Sequence, residues 1–413
     1  MADVAVFHPG TQHSWQTAMA LRDIDRLAWY ATSIFYQPDK LPYRIERWLP
    51  APLSERLHRE FLRFSHPGLD PAMVRTSGLA EWFERIAARA GFRRLAQRLD
   101  AFGNRRFARS LSREIASDRS FALWGFNGSS LAAFETARRV GRTCILDRTI
   151  GDFRYYNARM AEVQDRYGEW FLPTERRIGD DQIARDQQEF ELADCILVGG
   201  PFAAQTIRDH AGPQVAAKVR QFSYCYDEAL FGHQPSPEPV PRTGPVKFLF
   251  IGQVNPRKGV HHLLEAFGRL PASNAELTIL GDLRIPASVF ARHADRVNYI
   301  PTVARAQVPA IMAQHHVLVF PSYFEGSALS LLEGLASGLA LIQTPMSGLG
   351  VTEKTGLMLD RPDTDALEAA MASVIADRPR LDAWRAAAQD EARNYTFARY
   401  RAGIAAFLDE LDL

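Results

Sequence analysis

"HVLVFPSYFEGSALSLLEGLASG" (His316–Gly338) is the stretch from which the rest of the chain can be read. HVLVFPS is an apolar run of β-formers stopped by Pro321, which describes a buried strand. SALSLLEGLASG then turns helical, with start signals at Gly326 and Ser327 and a stop at Gly338. Strand, small-residue turn and helix make half of a parallel α/β unit. Two carboxylates interrupt it. Glu325 precedes the helix and Glu333 follows eight residues later, so about 800° of helical rotation leaves them roughly 80° apart. Both can border one pocket at different depths. The N–H groups of Ser327, Ala328 and Leu329 are expected to be free, and a helix N-terminus suits a phosphate. Gly326, Ser327 and Ala328 are small enough to let a ligand approach the backbone. A carboxylate accepts two hydroxyl hydrogen bonds, as a sugar diol requires. The competing reading is a dipole-favoured Glu followed by a surface Glu.

The same alternation surrounds this stretch. Downstream of a proline-rich segment come VKFLFIG, GVHHLLEAFGRL, AELTILG and VPAIMAQH, then after Gly338 LALIQT and three closing helices. Upstream, ADVAVF and SWQTAMALRDID open a strand–turn–helix unit. SFALWGF, SSLAAFETARRVG, TCILDRT and ADCILVGG–PFAAQTIRDHAG continue it. The hundred residues after the first helix are rich in Arg, Trp and Phe and read as mostly helical. Gly232–Pro245 has five prolines in fourteen residues, which marks a stiff linker. The expected fold is therefore α/β, with two Rossmann-like domains facing across a cleft: 1–232, a linker at 233–245, and 246–394.

Composition adds limits. The 413 residues allow two or three domains, and a formal net charge of +1 gives no pull toward nucleic acid. Cys144, Cys195 and Cys225 fit no metal spacing and read as buried free thiols. No apolar run is long enough to span a bilayer, and the start lacks the features of a signal peptide, so the expected location is the cytoplasm.

A second motif sharpens the first. FLFIGQVNPRKG (Phe248–Gly259) brings a strand, a glycine turn at Gly252 and the cations Arg257 and Lys258 to a helix start. Lys258 opposes the helix dipole there unless an anion is shared between them. Neither a P-loop nor a GxGxxG fingerprint is present, which disfavours an ATPase or a nicotinamide enzyme.

A glycine turn with a lysine, followed some seventy residues later by E-x7-E, resembles the donor half of the family 4 retaining glycosyltransferases of the GT-B fold. The resemblance runs from about Val246 to the end and includes GLMLDRPDTDALEAAM and YTFARYRAGIAAF. It implies that 246–394 binds a nucleotide-sugar donor and 1–232 the acceptor, with a helix at about 395–413 packing back on the latter. It implies that Lys258 contacts the donor diphosphate, Glu325 faces the sugar and Glu333 holds the ribose. Gly326, Ser327, Ala328 and Leu329 would supply amides to the sugar and phosphate. Thr302 and Val303 in IPTVARAQ would line the base pocket. The family usually has Arg after the turn glycine, where this chain has Gln253; Arg257 is the candidate to supply that charge. HPGTQHS resembles the family's first glycine loop, making Gly10 and Thr11 donor contacts and His13 an acceptor or donor contact. Many relatives carry a His after the strand TCILDRT, where this chain has Asp152 as candidate catalytic group and Arg154 as a contact for a charged acceptor. The alternative is a salt-bridged pair.

The resemblance implies a UDP- or GDP-sugar as substrate, no cofactor, no metal, and a saccharide or lipid-linked acceptor. Glu81–Arg119 holds ten arginines against five acids among aromatics, which suggests contact with an anionic membrane surface on the inner face. The rival functions are a GT-B epimerase and a catalytically weak nucleotide-sugar-binding scaffold.

Overall fold

The computed structural model describes residues 3–10, 13–62, 64–66, 68–76, 82, 99, 103, 106–107 and 109–413. Most of Glu81–Arg119, and Thr11, lie outside them.

Two sheets carry the chain. The first is built from β1 (Asp3–Phe7), β2 (Leu27–Thr32), β3 (Val74–Thr76), β4 (Phe121–Phe126), β5 (Cys144–Arg148), β6 (Cys195–Val198) and β7 (Val219–Gln221), in the order β3-β2-β1-β4-β5-β6-β7. The second is built from β8 (Val246–Ile251), β9 (Ala275–Leu280), β10 (Val297–Ile300), β11 (Val317–Phe320), β12 (Ala340–Gln343) and β13 (Gly356–Met358), in the order β10-β9-β8-β11-β12-β13. Every neighbouring pair in the second sheet is parallel. The short apolar runs explain this: β4, β11 and β12 are buried at every residue, as strands covered on both faces must be. In each order the direction of strand addition reverses once, between β1 and β4 and between β8 and β11. Loops at the carboxyl ends of such strand pairs are where open α/β sheets bind ligands.

The helical reading of the segment after the first helix needs correction. LAWYAT is strand β2, lying between β1 and β3, and its last four residues are buried. Its aromatic and branched residues suit a pleated interior, and tertiary pairing outweighs any local helical tendency. Helical turns do occur at Tyr43–Trp48 and Ala51–Leu62.

Cα packing divides the chain into two compact units. One holds 1–147, 184–197 and 401–413; the other holds 148–183 and 198–400. In this division the chain changes unit repeatedly, whereas the expected line is a single one at the linker. Within the first unit, Phe407 of the last helix meets Trp124 edge-on at 5.8 Å. Within the second unit, the proline-rich segment is fastened to the helix Arg378–Ala392. Val240 is buried, its N–H donates to Asp382 (2.7 Å), and Arg385 donates to the Glu238 carbonyl (2.6 Å). Cys144, Cys195 and Cys225 are buried thiols that form no disulfide among the described residues.

Candidate active site

Strand β8 is followed by Gly252, whose φ of +141° favours glycine. Asn255 then caps the 3₁₀ turn Pro256–Lys258, accepting the Lys258 N–H at 3.1 Å. Gly259 follows in the left-handed region (φ +68°) and starts the helix Val260–Arg269. A Cβ at Gly259 would lie 2.0 Å from the Pro321 carbonyl oxygen, so the β8 and β11 loops meet there. Further bonds stitch them together. Tyr323 N–H donates to the Arg257 carbonyl (2.8 Å), and the Arg257 guanidinium donates to the Phe324 carbonyl (2.7 Å).

These contacts converge on Glu325. Its Oε1 accepts from Lys258 Nζ at 2.8 Å and from Arg257 Nη1 at 2.6 Å, with Ser322 Oγ at 3.4 Å. Lys258 is buried and its Nζ lies 4.4 Å from the centroid of the Phe320 ring. Burial pushes Glu325 toward the neutral form, but Lys258 and Arg257 outweigh it and hold the carboxyl below its ordinary range. Burial pulls Lys258 below the usual lysine range, and Glu325 only partly restores it. Two cations share one carboxylate, so the cluster has a surplus positive charge. An anion placed against it would gain both charge pairing and desolvated hydrogen bonds. The two motifs singled out in the sequence are therefore in direct contact, and Arg257 joins them.

Glu333 is also buried, in the helix Leu329–Ala336. Both its oxygens are held by Arg305, with Nη1 to Oε2 at 3.4 Å and Nη2 to Oε1 closer. Arg305 comes from the loop after β10, beside exposed Thr302 and partly buried Val303. The loop expected to line the base pocket thus reaches Glu333 through a residue the sequence reading passed over. Arg305 sat in the quoted IPTVARAQ, but only knowledge that Glu333 is buried gives it a partner.

The helix start needs correction. The helix begins at Leu329, and Ala328 is extended (ψ 103°) rather than helical. Its N–H donates to the Ser347 carbonyl (3.0 Å) and is not free for a ligand. Gly326 is packed so closely on the Thr149–Ile150 backbone that a Cβ would lie 1.8 Å from the Thr149 oxygen. Ser327 Oγ, by contrast, is buried with no hydrogen-bond partner among the described residues. Gln253 is exposed, and its side-chain oxygen accepts a long bond from Asn255 (3.4 Å).

Asp152 has a structural position. It caps the helix Phe153–Tyr167 by accepting the Arg154 N–H (2.7 Å), and the Arg154 side chain occupies both oxygens at 3.0 and 2.8 Å. The salt-bridged alternative accounts for this geometry. In the other unit, the Gly10 N–H donates to His8 Nδ1 (3.0 Å), and burial lowers the His8 pKa to about 4. Gly10 therefore has its donor already engaged, and His8 was not singled out by the sequence. His13 stands at the start of the first helix, 3.8 Å from Asp147 and edge-on to Phe126.

With this geometry in hand, known proteins can be compared. Residues 236–391 match the family of glycosyl transferases group 1, a span that holds Arg257, Lys258, Arg305, Glu325 and Glu333. Glycogen synthase of Mycobacterium tuberculosis (strain H37Rv) is 31% identical over 147 residues, covering 33% of this chain and 36% of that protein. D-inositol 3-phosphate glycosyltransferase of Rhodococcus opacus (strain B4) is 27% identical over 172 residues, covering 38% and 39%. The chain thus spans little more than a third of the length of these relatives. Among solved structures, sucrose-phosphate synthase of Thermosynechococcus elongatus superposes with a TM-score of 0.65 at 14% identity, over 100% of this chain and 99% of that one. Anabaena HepE in complex with UDP gives 0.62 at 12% identity, over 99% and 100%. The fold is GT-B, and the family match lies in the half that carries the Lys258–Glu325 cluster.

Proposed function

We propose that the protein is a retaining glycosyltransferase of the family 4 type, moving a sugar from a UDP- or GDP-sugar to a saccharide or lipid-linked acceptor. The observation that carries this reading is the Lys258–Arg257–Glu325 cluster at the carboxyl ends of β8 and β11. Lys258 and Arg257 receive the diphosphate and stabilise the charge that grows on it as the glycosidic bond breaks. Glu325 orients both cations and meets the sugar hydroxyls. Glu333, once Arg305 shifts, takes the ribose diol. No protein general base is assigned; the departing phosphate takes the acceptor proton on the same face. With two cations at the diphosphate, the reaction needs neither metal nor cofactor, so turnover in EDTA should equal turnover in magnesium. We place the reaction in the cytoplasm, feeding polysaccharide or glycolipid assembly.

The test is a panel of nucleotide sugars, with nucleotide release followed in the presence and absence of membrane extract. Acceptor-dependent release with an anomer matching the donor supports transfer with retention. Sugar interconversion without acceptor identifies an epimerase, and tight nucleotide binding with no release identifies a binding protein.

A further inference from the structure

Among the described residues, seven large apolar side chains are exposed, and five of them lie between Leu41 and Leu62. Two of them, Ile45 and Trp48, lie in the 3₁₀ turn Tyr43–Trp48. Three residues per turn bring i and i+3 into line, so the turn presents three rows. Tyr43 and Glu46 form the buried row. Tyr43 packs edge-on against Phe61 at 4.9 Å, and Glu46 accepts from Tyr36 Oη (2.5 Å) and pairs with His58 (3.1 Å). Arg44 and Arg47 form an exposed basic row, with Arg47 also bonded to Asp39 at 2.8 Å. Ile45 and Trp48 form an apolar row, 39% and 68% exposed. The Arg44 guanidinium lies 6.0 Å from the centre of the Trp48 ring, so the two exposed rows touch. Leu53, 55% exposed, follows in the first turn of the helix Ala51–Leu62, ahead of exposed Arg56 and Arg59. Leu62 lies nine residues further along that helix, on its opposite flank, and is not part of this surface.

The occupant must satisfy both rows. A wholly apolar partner would strand the arginines. A second copy, placed symmetrically, would set Arg44 and Arg47 against their own kind. The surface cations Lys40, Arg44, Arg47, Arg56 and Arg59 outnumber Asp39, Glu55 and Glu60 by five to three, because Glu46 is buried. An indole beside guanidinium groups matches the boundary of a bilayer, where ring and headgroup phosphate lie at the same depth. We propose that the Tyr43–Trp48 turn, with Leu53, docks the protein on an anionic phospholipid surface. Vesicle binding is read without donor or acceptor, so its failure and the failure of the transfer reading are distinct results.

The experiment is co-sedimentation of the full chain with phosphatidylcholine vesicles, with and without phosphatidylglycerol. Binding should require the anionic lipid and weaken with salt. Each surface arginine contributes roughly fivefold near such a membrane, so Arg44→Glu with Arg47→Glu should lower partitioning at least ~25-fold. Trp48→Ser should lower it at least ~5-fold, with an unchanged thermal melt in both variants, whose sites are exposed. Wild-type binding that is absent, equal on neutral lipid, or unchanged in both variants overturns the proposal. Self-association without lipid that Trp48→Ser abolishes also overturns it, in favour of a second copy.

Discussion

Lys258 holds a charge where few lysines sit: buried, over an aromatic ring, with one carboxylate shared with Arg257. A lysine so placed has lost most of its water, so its value lies in what it can give an incoming anion. Lys258→Ala and Glu325→Ala should each lower turnover, read as nucleotide release, at least ~100-fold. Near-wild-type rates in both would sink the site. Gly259 makes a different demand. Its φ and the Pro321 oxygen 2.0 Å from a Cβ position both exclude a side chain. Gly259→Ala should cost at least about 2 kcal/mol in urea unfolding, because it forces apart the loops that carry Lys258 and Glu325. Gln253 is neutral and exposed, while Arg257 brings a guanidinium to the same carboxylate as Lys258.

At the scale of elements, apolar runs bounded by Pro and Gly were legible from sequence, because parallel strands buried on both faces leave a continuous signal. The Lys258 and Glu325 loops were legible because each follows such a strand. What escaped was set by packing. Nothing in GSALS reveals that Thr149 lies against Gly326 or that the helix waits until Leu329. Nothing in LAWYAT reveals its place between β1 and β3. Arg305 and His8 were missed because their partners, Glu333 and the Gly10 N–H, are distant in sequence or hidden in a turn. Asp152 now has a distinguishing test. As an N-cap, Asp152→Ala should cost about 1 kcal/mol of stability, while Asp152→Asn should keep most of it. Asp152→Asn should also keep turnover within about threefold. An Asn variant that melts normally yet is inactive would return the carboxylate to the chemistry.

The molecule as a whole carries a pH limit. Burial depresses His8 and His262 from 6.5 to about 4, and His316 to about 3. His262 bridges Tyr323 (2.6 Å) and Thr364 (2.7 Å) behind the Glu325 loop. Above pH 6.5 these rings are neutral whether folded or not and have no effect. Below it the unfolded chain takes up protons that the folded chain refuses, so stability falls as pH drops from about 6.5 toward 4. Each ring contributes up to about 1.4 kcal/mol per pH unit in that window. The urea midpoint should therefore fall between pH 6.5 and 5, and a midpoint that stays level would contradict the burial of these rings. Division into interleaved units has its own consequence, which concerns time rather than space. A ribosome delivers 1–147 first, yet that unit also needs 184–197 and 401–413. Trp124 therefore waits for Phe407 through the synthesis of nearly three hundred residues. The core around Trp124 is completed only once Phe407 has been made, and until then its apolar surface is open to wrong association.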